Sequence, residues 1–341
     1  MENFTFRFQR SKSKSNLMSL WVLACFFILG NSQFFYGQTV PLGTTIHANF
    51  GVDADVHSGL LSFDTMAQDP IGTDDWVLGV SGQGVIDESM AATIQQLQNG
   101  DNIQAEFRMS RPINYVDPAG NTWLDAVYLR DQNTKGGNMD MTVFGAGADK
   151  NFDDPNTWDV KEGDVPQKND LIDVYAHFRR GAGFPSDPFL WAFLAASTRS
   201  DDGTSYVDFE YYRNPVTYDP VTEVLSSSGV DCGHTSWDFA PNGFTNEFGD
   251  VIFSTNYTQG GVSADVRLYV WIDSSELAGL AGDLTDFEQD DVDAFNLLAA
   301  RPFDLGDENG DIEFYNCNND SNNPFGYARI IQRTDVPGAE D

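Results

Sequence analysis

The stretch SYVDFEYY, residues 205–212, decides the fold class. Its side chains alternate: Tyr206, Asp208, Glu210 and Tyr212 fall on one side of an extended chain, and Val207, Phe209 and Tyr211 on the other. A period of two marks a strand whose two faces meet different surroundings. The flanking TRSDDG (198–203) and RNP (213–215) supply the Gly, Asn, Asp and Pro that interrupt strands with turns.

Working outward, similar chemistry recurs. TIHANF (45–50), DWVLGV (75–80), IQAEFRM (103–109), WLDAVYLR (123–130) and LWAFLAAST (190–198) are short and rich in β-branched or aromatic residues. DVIFSTNY (250–257), VRLYVWID (266–273) and YARIIQR (327–333) are similar. This density of strands and turns predicts an all-β fold, an antiparallel sandwich whose two sheets share a core. A few short helices are expected within it. NDLIDVYAHF (169–178) places Leu171, Val174, Tyr175 and Phe178 at helical spacing behind a capping Asn169 or Asp170, although Ile172, Val174 and Ala176 also alternate as in a strand. SSELAGLAG (274–282) and DDVDAFNLLAA (290–300) carry acids at the end that favours them in a helix.

The N-terminus reads as an export signal over 1–37: Arg7, Arg10, Lys12 and Lys14 precede the apolar run LMSLWVLACFFILG (17–30), with Gln38 as the first mature residue. Cys25 lies inside that run and lacks a lipobox. Residues 38–334 form one expected sandwich domain, and 335–341 a tail or the start of a linker. The chain is therefore expected to be secreted or held at the cell surface. It carries 19 basic against 52 acidic residues, a net charge of −33. Nucleic acid and anionic membrane are poor partners for such a surface, because phosphate contacts require Lys and Arg. Of the three cysteines, Cys232 and Cys317 lie outside the signal and form a disulfide candidate in an exported chain.

Searching for catalytic chemistry finds no HExxH, CxxC, GxSxG or phosphate-loop pattern. A sandwich glycosidase needs paired carboxylates; Asp208 and Glu210 come nearest, without a third acid on the strand. Glu210 is read instead as paired with Arg199 across the SDDG turn. His234, in DCGHTSW (231–237), is a ligand-binding candidate. Trp158 and Trp237 are flanked by polar residues and are expected near the surface, where sugar rings stack. In DKNFDDPNTW (149–158), Asp149, Asn151 and Asp153 are spaced like the first three ligands of a calcium loop, with Asp154 next. Asp154 stands where an EF-hand needs glycine and Val160 where it needs glutamate, so the choice lies between a non-EF calcium site and a turn bent at Pro155.

The order of the segments NFGVDADVHSG (49–59), GTDDWVLGVSGQGVID (72–87), LDAVYLRD (124–131), DKNFDDPNTW, PQKNDLIDVYAHFRR (166–180), STRSDDGTSYVDFEYYRN (197–214), GHTSWDF (233–239) and FGYARI (325–330) resembles the N-terminal module of large secreted surface proteins of Bacteroidetes. Those proteins continue into repeats and a type IX secretion or gliding-associated sorting domain, and the module resembles a jelly-roll or lectin-like sandwich. This chain stops before such repeats, as a fragment would. Cys232 stands where the resemblance implies glycine, which favours a disulfide with Cys317. No activity comes with the resemblance; the expected function is a non-enzymatic surface adhesion or binding module, a glycan being one ligand class, which the tryptophans support loosely. A polysaccharide-degrading enzyme and a structural cap of a longer fibre are the alternatives.

Overall fold

The computed structural model describes residues 49–51, 74–78, 82–87, 105–131, 140–145, 150–182, 190–200, 203–258, 263–278, 289–298, 300–307 and 309–333. The expected signal (1–37), the tail (335–341) and Asp149 lie outside them. The chain is all-β and antiparallel, with short helices, as the alternation at 205–212 implies. Strands β1 to β3 run Ala105–Arg108, Tyr115–Val116 and Thr122–Arg130; β4 and β5 run Asp140–Phe144 and Val160–Gly163. They are followed by β6 (Leu171–Arg180), β7 (Leu190–Thr198), β8 (Ser205–Tyr211), β9 (Val216–Asp219) and β10 (Val224–Ser227). Next come β11 (Asp238–Phe239), β12 (Thr245–Glu247), β13 (Val251–Thr258) and β14 (Ser263–Asp273). Helices α1 (Ser274–Ala278) and α2 (Gln289–Asn296) then precede β15 (Phe303–Leu305), β16 (Phe314–Asn316) and β17 (Phe325–Gln332).

The chain divides into two compact units, Met1–Gln132 with Asp173–Ser197, and Asn133–Ile172 with Thr198–Asp341. The first centres on a five-stranded sheet in the order β1–β3–β6–β7, with β2 added to β3. Residues 171–180, which also carried a helical pattern, form strand β6. The buried residues of this strand are Asp173, Tyr175, His177 and Arg179, alternating with half-buried Val174, Ala176 and Phe178. Its interior face is thus more polar than its outer one. The helical reading assumed that the apolar residues mark the inside; here polar side chains go in because partners from elsewhere in the unit satisfy them. Phe50, Trp76, Trp123 and Tyr128 complete that core.

The second unit holds a six-stranded sheet, β15–β17–β14–β13–β8, with β16 also pairing β17. Period two divides its side chains between two clusters. Val270, Ile272 and Ala328 join Leu277 of α1 and Val292 and Phe295 of α2, together with Trp237, Phe239, Phe303 and Leu305. Ile252, Tyr269, Trp271 and Tyr327 join Cys317 and Phe152.

Candidate functional site

Residues 150–158 form a braced turn. Lys150 Nζ lies 3.7 Å from Asp153, and the Asn151 amide nitrogen donates to Asp208 at 2.7 Å. The Asp154 carboxylate caps the short 3-10 turn Pro155–Thr157 by accepting from the Asn156 backbone and side-chain nitrogens at 2.9 and 2.8 Å. The carboxylates proposed from sequence as calcium ligands are therefore engaged within the turn, and Asp149 is outside the described residues. The turn in turn supports strand β10: Asn156 Oδ1 accepts from Ser227 N, and the Trp158 carbonyl from Leu225 N. Asp154→Ala should cost about 1 kcal/mol, as loss of a capping carboxylate does. Equilibrium unfolding reads this out, and calcium or chelator should leave the wild-type midpoint unchanged.

The turn 229–235 packs against this loop. Gly233 has φ +77°, and a Cβ there would collide with the Asp154 carboxylate and the Pro155 ring, so glycine is required twice over. Cys232, before it, also takes a left-handed φ of +59° and is bonded to Cys317 across a sequence separation of 85. His234 is 1% exposed and stacks on Trp271 at 3.8 Å, with Tyr212 at 5.1 Å. Its Nδ1 lies 3.0 Å from Asp250 Oδ2 and its Nε2 3.3 Å from the Asp153 carbonyl oxygen. Both ring nitrogens are occupied, which leaves neither to serve an external ligand. Asp250 also accepts from the backbone of Arg213 and Thr235. His234 is thus a bracket holding loop, turn and sheet together.

Two expectations require correction. Trp158 and Trp237 are 6% and 9% exposed, not surface rings. Trp158 packs edge-on to Phe144, and Trp237 lies among Phe239, Phe248 and Phe303, with Nε1 donating to the Asp250 carbonyl. The polar residues beside them mark turns, not exposure of the rings. The Arg199–Glu210 pair presumed a hairpin between β7 and β8, but β7 pairs with β6 and β8 with β13. Arg199 donates to Asp170, and Glu210 accepts from the Tyr212 hydroxyl. Burial, with the Glu210 carboxylate second, pushes the Tyr212 phenol far above its ordinary range.

The sequence reading missed a charged cluster inside the first unit. Arg179 Nη1 lies 2.9 Å from Asp74 and 3.3 Å from Asp117, and its Nε donates to His177 Nε2 at 2.7 Å. His177 Nδ1 meets the Asp125 carbonyl at 2.7 Å, which makes the ring a neutral Nδ1–H tautomer. Asp117 also accepts from the Asn121 backbone and side chain. Two carboxylates thus share one guanidinium. Burial pushes Asp74 up to about 6, with Arg179 pulling the other way, and burial followed by the Arg179 charge drives His177 down to about 3. The raised Asp74 adds stability that is present at low pH and lost as pH rises through 6. The depressed His177 adds stability that is present above 6.5 and lost as pH falls toward 3. Each changes unfolding free energy by about 1.4 kcal/mol per pH unit between 4 and 6, with opposite sign. The wild-type contribution should be nearly flat there. Asp74→Asn should leave the histidine slope alone, so stability falls on acidification; denaturant titrations at pH 4, 5 and 6 measure it.

Among the described residues, the exposed groups of the second unit include large apolar and acidic side chains. Phe244 and Phe248, which flank β12, are 64% and 56% exposed. Asp238 and Glu247, directly opposite each other in the β11–β12 register, are also exposed. No protein-family model matches the chain, and neither a curated protein nor a solved structure matches it.

Proposed function

We propose that the chain is an exported, non-enzymatic binding module of the kind that begins large bacterial surface proteins. One observation carries this reading: the sequence's best candidates for chemistry each hold a partner inside the fold, while large aromatic side chains are exposed. His234, Glu210 and Asp208 each hold a partner within the second unit, and the disulfide pins the turn that carries His234. Phe244, Phe248, Tyr206 and Tyr218 are exposed on the same unit. Exposed aromatic rings offer apolar faces on which a ligand can pack or stack. An antiparallel frame braced by buried polar contacts suits a module that must present such a surface outside the cell.

Binding and turnover can be separated by one assay. The chain is incubated with a panel of immobilised polysaccharides and proteins, scoring retention and release of reducing ends together. Retention without release is expected. Release that disappears in Glu210→Gln would instead make the chain a polysaccharide-degrading enzyme. Retention of nothing on the panel favours the structural-cap reading.

A further inference from the structure

The hairpin β11–β12 combines two features, exposed phenyl rings on a well-held frame and clustered acids. Its loop Ala240–Phe244 closes with Gly243 N donating to the Ala240 carbonyl, and Ala240 N to the Phe244 carbonyl. Gly243 has φ +85°, and a Cβ there would press on Leu298, so the tip lies close against the segment that follows α2 while Phe244 is exposed. The hairpin is therefore built, not frayed. Phe248, at the far end of β12, rests edge-on against Trp237 at 5.2 Å, which holds the ring in place although it is exposed.

Charge is the second feature. Asp238 and Glu247 are cross-strand neighbours, an arrangement of like charges that costs a hairpin stability. Asn246 donates to Asp238 at 3.0 Å but brings no charge. Glu276 of α1 adds a third carboxylate: burial, and then Asp238, push it up to about 7. Arg301 comes within 4.0 Å of Glu276, yet its guanidinium is buried over the Phe295 ring at 3.3 Å and faces inward. One hairpin thus carries two exposed phenyl rings and a cross-strand pair of acids that repel one another, on a chain with net charge −33.

Lys and Arg carry an apolar stem and a cationic head, and so fit both features at once. An anionic glycan, phosphate group or acidic protein would meet repulsion there, and a neutral glycan would leave the carboxylate pair uncompensated. We propose that the β11–β12 hairpin docks a cationic protein segment, Phe244 and Phe248 taking its apolar side chains and Asp238 and Glu247 its Lys or Arg. This rests on the binding-module reading and names the partner class for one surface of it.

The test uses the full chain and a synthetic 15-residue peptide alternating Lys and Leu, with its Glu-for-Lys counterpart as control, by fluorescence anisotropy at low salt. The Lys peptide should bind and the Glu peptide should not. Phe244→Ser with Phe248→Ser should weaken binding at least tenfold, and so should Asp238→Asn with Glu247→Gln. The acidic double variant should unfold no earlier than wild type, because it removes a repulsion, so its loss of affinity is not a folding defect. Asp219→Asn with Glu223→Gln, on the β9–β10 hairpin, should change affinity less than twofold. Equal losses from both acidic pairs would reduce the effect to bulk charge and overturn the proposal. So would unchanged affinity in the phenylalanine variant, or no binding by wild type. Retention of some other ligand on the polysaccharide and protein panel despite those results would remove this surface and keep the module.

Discussion

Arg179→Met should destabilise the first unit by about 3–5 kcal/mol, the usual consequence of removing one partner from a buried ion cluster. The residue is fully buried, and its loss leaves Asp74 and Asp117 facing each other without a cation. His177 also loses the donor to its Nε2. Methionine keeps much of the volume and packs against the Phe50 and Trp123 rings that the guanidinium now faces at 5.2 and 5.0 Å. The charge, not the packing, is then what the variant removes. If so, adding Asp74→Asn and Asp117→Asn to Arg179→Met should recover a large part of the loss, because neutral amides lift the repulsion. A triple variant no better than the single one would show that the arginine acts by packing. Denaturant unfolding followed by tryptophan fluorescence is suitable, since Trp76 and Trp123 belong to the same core.

Removing the Cys232–Cys317 bridge has the second large effect. The bond closes a loop of sequence separation 85, for which the chain-entropy model gives about 4–5 kcal/mol. Cys317 is fully buried, and the 3-10 turn it begins is tied to the 150–158 loop: Asn318 N donates to the Phe152 carbonyl, and Asp154 N to Asn318 Oδ1. Cys232→Ser with Cys317→Ser should lower the melting midpoint by roughly 10 °C. The left-handed φ at position 232 refines this. A non-glycine residue there costs about 1 kcal/mol, so Cys232→Gly with Cys317→Ser should retain about that much more stability than the double serine. Identical midpoints for the two variants would mean that the turn relaxes once the bridge is gone.

Much of the second sheet was legible because its strands have apolar or aromatic residues at period two and turns of distinct composition. SYVDFEYY, DVIFSTNY and VRLYVWID correspond to β8, β13 and β14. Segment 169–178 was ambiguous because a strand that buries Asp173, Tyr175, His177 and Arg179 shows its apolar residues on the outer side. The alternation of those four polar residues was present in the sequence, yet it gains meaning only when Asp74, Asp117 and Asp125 arrive from distant positions. Trp158 and Trp237 misled for a related reason: their neighbours Asp, Asn and Thr are polar because they build turns, while the rings point inward. The left-handed backbone at position 232 is a conformation that suits glycine, which a cysteine occupies here. Phe244 and Phe248 gave no signal, since an exposed phenylalanine cannot be told from a buried one without the register of β11 and β12.

On the proposed function, the chemistry-bearing residues are the frame and the exposed hairpin is the binding surface. Affinity for the Lys/Leu peptide tests it most directly when two variants are compared as folded proteins, His234→Gln and Phe244→Ser with Phe248→Ser. His234→Gln should melt earlier and bind the peptide within twofold of wild type, whereas the phenylalanine variant should keep its midpoint within a few degrees and lose at least tenfold in affinity. The reverse pattern, binding lost with His234 and kept without the two phenylalanines, would contradict it.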